Sequence, residues 1–363
     1  MRSKNRFGTF LVLAAAAMFA VGACGNSTAT GSPASAAAPP ASAAASPASA
    51  AASSAPAASS PATTSNEEYV WISQNSTLPL FVARDHPTLM LAGKELGVKV
   101  RIAGPTNIDL AAFISTIETE CAAHPAGVIV VGWDPSLSAS VDKCIAEKVP
   151  TVTDDADLPN SKRLSFIGTD WYQIGVQQAL VQIADLKARG LTTGKVATLS
   201  IINADNMKAA RLGFSDTLKG SAITIVTDED DGGASDQAAS KTAALVAAYP
   251  DLTGFAGFDS ESGAGIVTAL DEANKAGKFT VTAMEQSPEF FKTVKDGKVT
   301  GIVIQKRELF TYYAVKMLYD FNHNSFTIAG LDKWTTSTIP RFLDTGLVMV
   351  TKANVDQVLA AQK

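Results

Sequence analysis

Two successive series of short apolar runs, each run separated from the next by an amphipathic stretch, constrain this chain more than any other feature. The first series is Tyr69-Val70-Trp71-Ile72, Val98 to Ile102, Val128 to Val131, Thr151 to Thr153 and Leu164 to Ile167. These runs are rich in β-branched side chains and too short for helices. Between them lie segments such as Leu110 to Ala122, in which Phe113, Ile114 and Ile117 share one helical stripe. After Trp171 the pattern restarts. Val196 to Ile202, Ile223 to Thr227, Gly254 to Phe258, Phe279 to Met284 and Gly301 to Gln305 read as strands, with helices over 171–189, 206–219, 235–248, 262–276 and 288–296. Strands that alternate with helices pair in parallel and are covered on both faces. The expected fold class is therefore α/β, with two doubly wound parallel-sheet lobes facing each other across a cleft.

The N-terminus carries a different signal. Arg2, Lys4 and Arg6 form a basic segment, and Phe10 to Ala20 an apolar one too short to span a bilayer. The run Val21-Gly22-Ala23-Cys24 that follows resembles the bacterial lipobox, which implies cleavage before Cys24 and diacylglycerol on its thiol. Residues 1–23 are then the signal peptide. From Gly25 to Asn66 the chain contains only Ala, Ser, Pro, Thr, Gly and Asn. Such a stretch has no apolar surface to offset its ordering entropy, and its prolines interrupt any helix, so 24–66 is expected to be a disordered tether. The expected location is extracytoplasmic, lipid-anchored to the outer face of the cell membrane, with a long tether that suits a Gram-positive wall.

The whole chain is 46% hydrophobic and 18% charged with net charge -5, which gives no basic surface for nucleic acid. Beside Cys24, the two remaining cysteines, Cys121 and Cys144, make an even pair in an oxidising compartment, either bonded or buried as thiols. His86, His124 and His323 are scattered without metal-ligand spacing, and neither a G-x-S-x-G elbow nor a Walker A sequence is present. No cofactor, metal or catalytic residue is expected, and the protein is read as a binding protein and not an enzyme.

Ligands of open α/β sheets bind beyond the carboxyl ends of the strands. Here those ends carry Gln74-Asn75, Trp133-Asp134, Asp154-Asp155, Asp170-Trp171, Asn203 to Asn206, Asp259, Glu285-Gln286 and Gln305. Carboxylates and amides can grip neighbouring hydroxyls of a polyol, and aromatic faces cover the C–H face of a sugar ring.

At these residues the chain resembles the ribose/galactose-type sugar-binding proteins of ABC importers, with the type I periplasmic-binding fold. The likeness runs from Glu68 to about Val355. It rests on Leu78-Pro79-Leu80-Phe81, Gly132-Trp133-Asp134-Pro135, Val149 to Asp154, Phe166 to Asp170, Gly213-Phe214, Gly254 to Asp259 and Val303-Ile304-Gln305, in that order. The resemblance implies a hinge of three crossover strands, with 67–168 and 306–335 in the N-terminal lobe and 169–305 and 336–358 in the C-terminal lobe. It implies that Phe81 stacks on a sugar ring, that Asp154 grips hydroxyls from the first lobe, and that Asp259, Glu285 and Gln305 do so from the second lobe and hinge. Trp133, Asp134, Asp155 and Trp171 complete the candidate set. Arg211 is the remaining candidate, although the family's second-lobe arginine falls where this chain has Ala210, one residue or about 100° earlier on the helix. The implied partners are a sugar or polyol and the transmembrane subunits of an ABC permease, served by a monomer. Two other readings use the same cleft: a co-receptor for a sensor kinase or chemoreceptor, and a glycosidase working through Asp154 and Glu285.

Overall fold

The computed structural model describes residues 65–284 and 286–361. The expected signal peptide, lipidated Cys24, tether and Glu285 lie outside the described residues, apart from the tether's last two positions.

The first half of the chain runs β1 (Glu68–Ile72), α1 (His86–Leu96), β2 (Lys99–Ala103), α2 (Leu110–Ala122), β3 (Gly127–Val131), α3 (Ser138–Ala146), β4 (Thr151–Asp154) and β5 (Phe166–Gly168). Its strands pair in parallel in the order β2-β1-β3-β4-β5. Side chains alternate across this sheet. Tyr69 and Trp71 face a core shared with Leu89 of α1, while Val70 and Ile72 face one shared with Phe113 and Val141 of α2 and α3. Every residue of β3 is buried, as a strand covered on both faces requires. Cys121 of α2 and Cys144 of α3 are joined by a disulfide, with Cα atoms 5.3 Å apart. A loop of this length closed in the unfolded chain stabilises the fold by about 3 kcal/mol.

The second series is α4 (Trp171–Ala188), β6 (Gly194–Ser200), α5 (Asp205–Leu218), β7 (Ile223–Asp230), α6 (Ser235–Ala248), β8 (Gly254–Gly257), α7 (Ser262–Glu272), β9 (Thr280–Met284), α8 (Pro288–Lys295) and β10 (Gly301–Gln305). Its sheet repeats the winding of the first, in the order β7-β6-β8-β9-β10. The helices α4 and α5 pack backbone to backbone: a Cβ on Gly175 would lie 1.8 Å from the Ala210 carbonyl oxygen, and one on Gly213 would lie 2.0 Å from that of Tyr172. That approach fixes the first turns of both helices, which carry Trp171, Asn206 and Met207.

The chain crosses between the sheets three times. It leaves the first sheet after β5 for α4, and returns after β10 to place α9 (Phe310–Asn322) beside α1 and over the first sheet. Then β11 (Phe342–Asp344) pairs in parallel with β5, setting Phe342 opposite Phe166, and β12 (Leu347–Thr351) adds an antiparallel edge to the second sheet before α10 (Val355–Ala361). The last crossing therefore falls at Thr345-Gly346. It comes later than the expected boundary at 335/336, because the 336–344 segment supplies an edge strand to the first sheet. Among the described residues no helix is long and apolar enough to cross a membrane.

Candidate functional site

In both sheets the strand order reverses at one point, between β1 and β3 in the first and between β6 and β8 in the second. Chain leaving two such adjacent strands turns to opposite faces and opens a crevice at their carboxyl ends. The segments that follow these four strands line one cavity of about 390 Å³. Gln74 and Phe81 follow β1, Trp133 follows β3, Asn206 follows β6 and Asp259 follows β8.

The first lobe supplies the aromatic wall. Phe81 opens a π-helical turn, Phe81–Asp85, that leads into α1 and directs both Phe81 and Asp85 inward. The Phe81 ring lies 5.5 Å from that of Trp133 between centroids, and meets Trp71 edge-on at 5.2 Å. Trp171, the first residue of α4, lines the cavity from the hinge side and donates Nε1–H to the Asp155 carbonyl at 2.8 Å. Asp134 lines the rim, where its Oδ1 accepts from Ser136 N–H and starts a short 3₁₀ turn.

The two acids that end β4 separate. Asp154, the last strand residue, is fully buried away from the cavity wall, where its Oδ2 accepts from Trp71 Nε1–H at 2.9 Å. Burial, reinforced by the charges of Asp85 and Asp155, holds its carboxyl well above the ordinary range. Asp154, the acid expected to grip a sugar, does not line the cavity, and its neighbour Asp155 stands at the wall. Asp155 adopts a left-handed backbone (φ 60°), which turns its side chain into the cavity.

Asp155 is held there by Arg307, which sequence reasoning did not single out. Arg307 lies just past the second crossing, is 1% exposed, and lines the cavity floor. Its Nη1 donates to Asp155 Oδ1 at 2.6 Å, while Nε and Nη2 form a fork to the two oxygens of Asp85, each at 3.0 Å. Although burial works against its charge, the carboxylates of Asp155 and Asp85 hold the guanidinium above its ordinary value. Its carbon Cζ also sits 5.1 Å from the Phe81 ring centre, so one cation braces both the acid and the aromatic wall.

Arg211 does not reach the cavity. Its Nη1 donates to Ser200 Oγ at 2.6 Å and its Nη2 to the Ile202 carbonyl at 2.7 Å, so it ties α5 to the end of β6. The helical phase decides this, since Asn206 and Met207 of the same helix face the cavity. The cavity's arginine therefore comes from residue 307 and not from α5.

The second lobe and hinge supply hydrogen-bonding groups. Asp259 Oδ1 accepts from Glu261 N–H at 2.9 Å and Ser262 N–H at 2.7 Å, which anchors the backbone entering α7. Its Oδ2 has no partner, although the residue is only 6% exposed. Burial and the nearby charge of Asp231 push its carboxyl up to about 7. Gln305, at the end of β10, accepts at Oε1 from Arg307 Nη1 at 3.3 Å and leaves Nε2 unpartnered. Asn206 Oδ1 is likewise buried and unpartnered. The aliphatic remainder of the wall includes Leu78, Leu80, Ile108, Ile201 and Met284.

The sequence matches the periplasmic binding protein domain family over residues 70–323. No curated protein matches it. Among solved structures, a sugar ABC transporter sugar-binding protein from Bacillus halodurans is 26% identical, with a TM-score of 0.73 over 80% of this chain and 100% of that one. A glucose-galactose binding protein from Geobacillus stearothermophilus is 22% identical, with a TM-score of 0.72 over 80% and 99% of the two chains. A carbohydrate transporter solute-binding protein from Agrobacterium radiobacter, in complex with D-arabinose, is 24% identical, with a TM-score of 0.73 over 82% and 99%.

Proposed function

Because the chain belongs to the periplasmic binding protein domain family, we propose that its two lobes close on a monosaccharide or related polyol and deliver it to an ABC importer. One observation carries the reading: three buried hydrogen-bonding atoms, Asn206 Oδ1, Asp259 Oδ2 and Gln305 Nε2, are left unpartnered in a cavity whose wall also carries the aromatic side chains of Phe81, Trp133 and Trp171. A buried polar atom without a partner costs about 1–3 kcal/mol, which a hydroxylated ligand recovers as it enters. Two acceptors and one donor suit hydroxyls, which both give and take hydrogen bonds, and Phe81, Trp133 and Trp171 suit the C–H face of a sugar ring. The sugar-binding role of the Bacillus halodurans protein supports the same class of ligand. Capture requires only hinge motion at the three crossings, with no chemical change in the sugar. Lipidation at Cys24 and a tether over 24–66 would hold the protein at the outer face of the membrane, beside its permease.

The test is a thermal-shift screen of the full chain against pentoses, hexoses and polyols. A ligand at 100 times its Kd adds about 2.7 kcal/mol to stability, so a true ligand raises the melting temperature by several degrees. A screen silent across all three classes refutes the sugar reading. Loss of uptake of the identified sugar on deletion of the gene is the expected sign of transport; unchanged uptake would refute delivery to an importer.

A further inference from the structure

The charges around the cavity are balanced on one side only. In the first lobe, Asp155 and Asp85 share the guanidinium of Arg307. That guanidinium is the one cationic side chain on the cavity wall among the described residues, and its Nε, Nη1 and Nη2 already donate to the two acids and Gln305.

The second-lobe wall has acids without a cation. Asp259 and Glu261 line it, and Asp231 lies directly behind, fully buried under Gly232 and Gly233. Those two glycines have φ of 60° and 69°, a left-handed turn that lets the backbone at the end of β7 fold over Asp231. Ser262 links the acids: its Oγ donates to Asp231 Oδ2 at 2.6 Å, and its N–H to Asp259 Oδ1 at 2.7 Å. The described residues provide no ion pair to Asp231, Asp259 or Glu261. Burial works against the charge of Glu261 as it does against that of Asp259, and Asp231 adds to both.

A separate observation points to what would balance them. Asn206 is 7% exposed, lines the same cavity, and keeps its Oδ1 acceptor unpartnered. Together with Asp259 Oδ2 it offers two bare acceptors, a set that a group rich in N–H donors fills better than a hydroxyl with one.

We infer that the preferred ligand is an amino sugar whose protonated amine lies against Asp259 and Asn206 on the second-lobe wall. The inference rests on the proposed sugar-binding role and narrows it. The ring hydroxyls keep Gln305 Nε2 as donor, and the aromatic wall keeps the C–H face. A neutral sugar would leave the buried acids without a counter-charge, whereas an ammonium beside a desolvated carboxylate forms a charge-assisted hydrogen bond.

The test measures binding of D-glucosamine, D-galactosamine and D-mannosamine to the full chain by calorimetry at neutral pH, each beside its parent hexose and its N-acetyl derivative. At least one amine is expected to bind about tenfold or more tighter than both neutral counterparts. Asp259→Asn, which keeps a side-chain oxygen for the Glu261 and Ser262 N–H groups, is expected to remove most of that preference, read as the ratio of amine affinity to parent-hexose affinity. Glu261→Gln is expected to reduce it by a smaller factor, and melting curves check that both variants fold. A parent hexose or N-acetyl sugar that binds as tightly as its amine overturns the inference but leaves sugar binding intact. Silence from amines, hexoses and N-acetyl sugars alike also overturns the inference, and it overturns sugar binding as well only if the pentoses and polyols of the thermal-shift screen are silent too.

Discussion

Replacing Asp259 by Asn should make the unliganded protein more stable in mild alkali and leave it little changed in acid. The carboxyl stands at about 7 in the folded protein against an ordinary 3.8, because it is buried and faces Asp231. The folded state therefore holds this proton longer than the unfolded chain does. Below about pH 4 both states are protonated, and the group costs nothing. Between about pH 4 and 7 the unfolded chain releases its proton first, so stability is lost as pH rises; above about 7 the loss is complete. A gap of about three pH units at about 1.4 kcal/mol each sets the loss at roughly 4 kcal/mol. The asparagine does not titrate, and its side-chain oxygen still accepts from the Glu261 and Ser262 N–H groups. Asp85, which burial raises to about 7 despite the opposing pull of Arg307, is present in both proteins and drops out of the comparison. Urea unfolding of both full-length proteins at pH 4.5 and pH 8 reads the effect directly. The variant should gain roughly 2–4 kcal/mol on wild type between the two conditions. Parallel pH profiles would refute the claim that a buried, uncompensated carboxylate stands on the second-lobe wall.

Two further outcomes follow from the first lobe. Asp154→Ala should cost about 1–3 kcal/mol of stability by stranding Trp71 Nε1–H, with sugar affinity unchanged; Asp155→Ala should weaken binding, and the reverse pattern in calorimetry and melting would reassign the two acids. Arg307→Met leaves Asp85 and Asp155 buried without a cation and should cost about 3–5 kcal/mol at pH 8, recovering as pH falls; a loss that is the same at pH 5 would refute the ion-pair explanation.

Much of this architecture is legible in the sequence because the winding is written in hydrophobic period and length. The expected strand Gly301 to Gln305 and the helix over 235–248 coincide with β10 and α6. Strand ends also mark the cleft, which is how Trp133, Asp259 and Gln305 come to attention before any coordinates. What escapes is finer than the period. Asp154 and Asp155 are chemically identical neighbours, and only a positive φ at the second decides which one enters the cavity. Arg211 looks close to a family position, but a helix converts one residue into a different face. Arg307 is invisible for another reason: its partners Asp85 and Asp155 lie 222 and 152 residues away, and no local pattern joins them.

The route of the chain through its two sheets also sets a timetable for biosynthesis. The face of the first sheet that carries Trp71 and Ile129 is closed by Val315, Leu318 and Phe321 of α9, and its edge by β11. Both arrive only after the whole of β6 to β10 has been made. A polypeptide emerging from its N-terminus therefore completes neither lobe until its last segments are made, since β12 and Val350 and Val355 close the second lobe only after α9 and β11 have closed the first, and every intermediate shorter than α9 leaves part of the first sheet's apolar face uncovered. Neither lobe then has a finished core until nearly the whole chain exists, so the two lobes mature together at the end of synthesis and not one after the other.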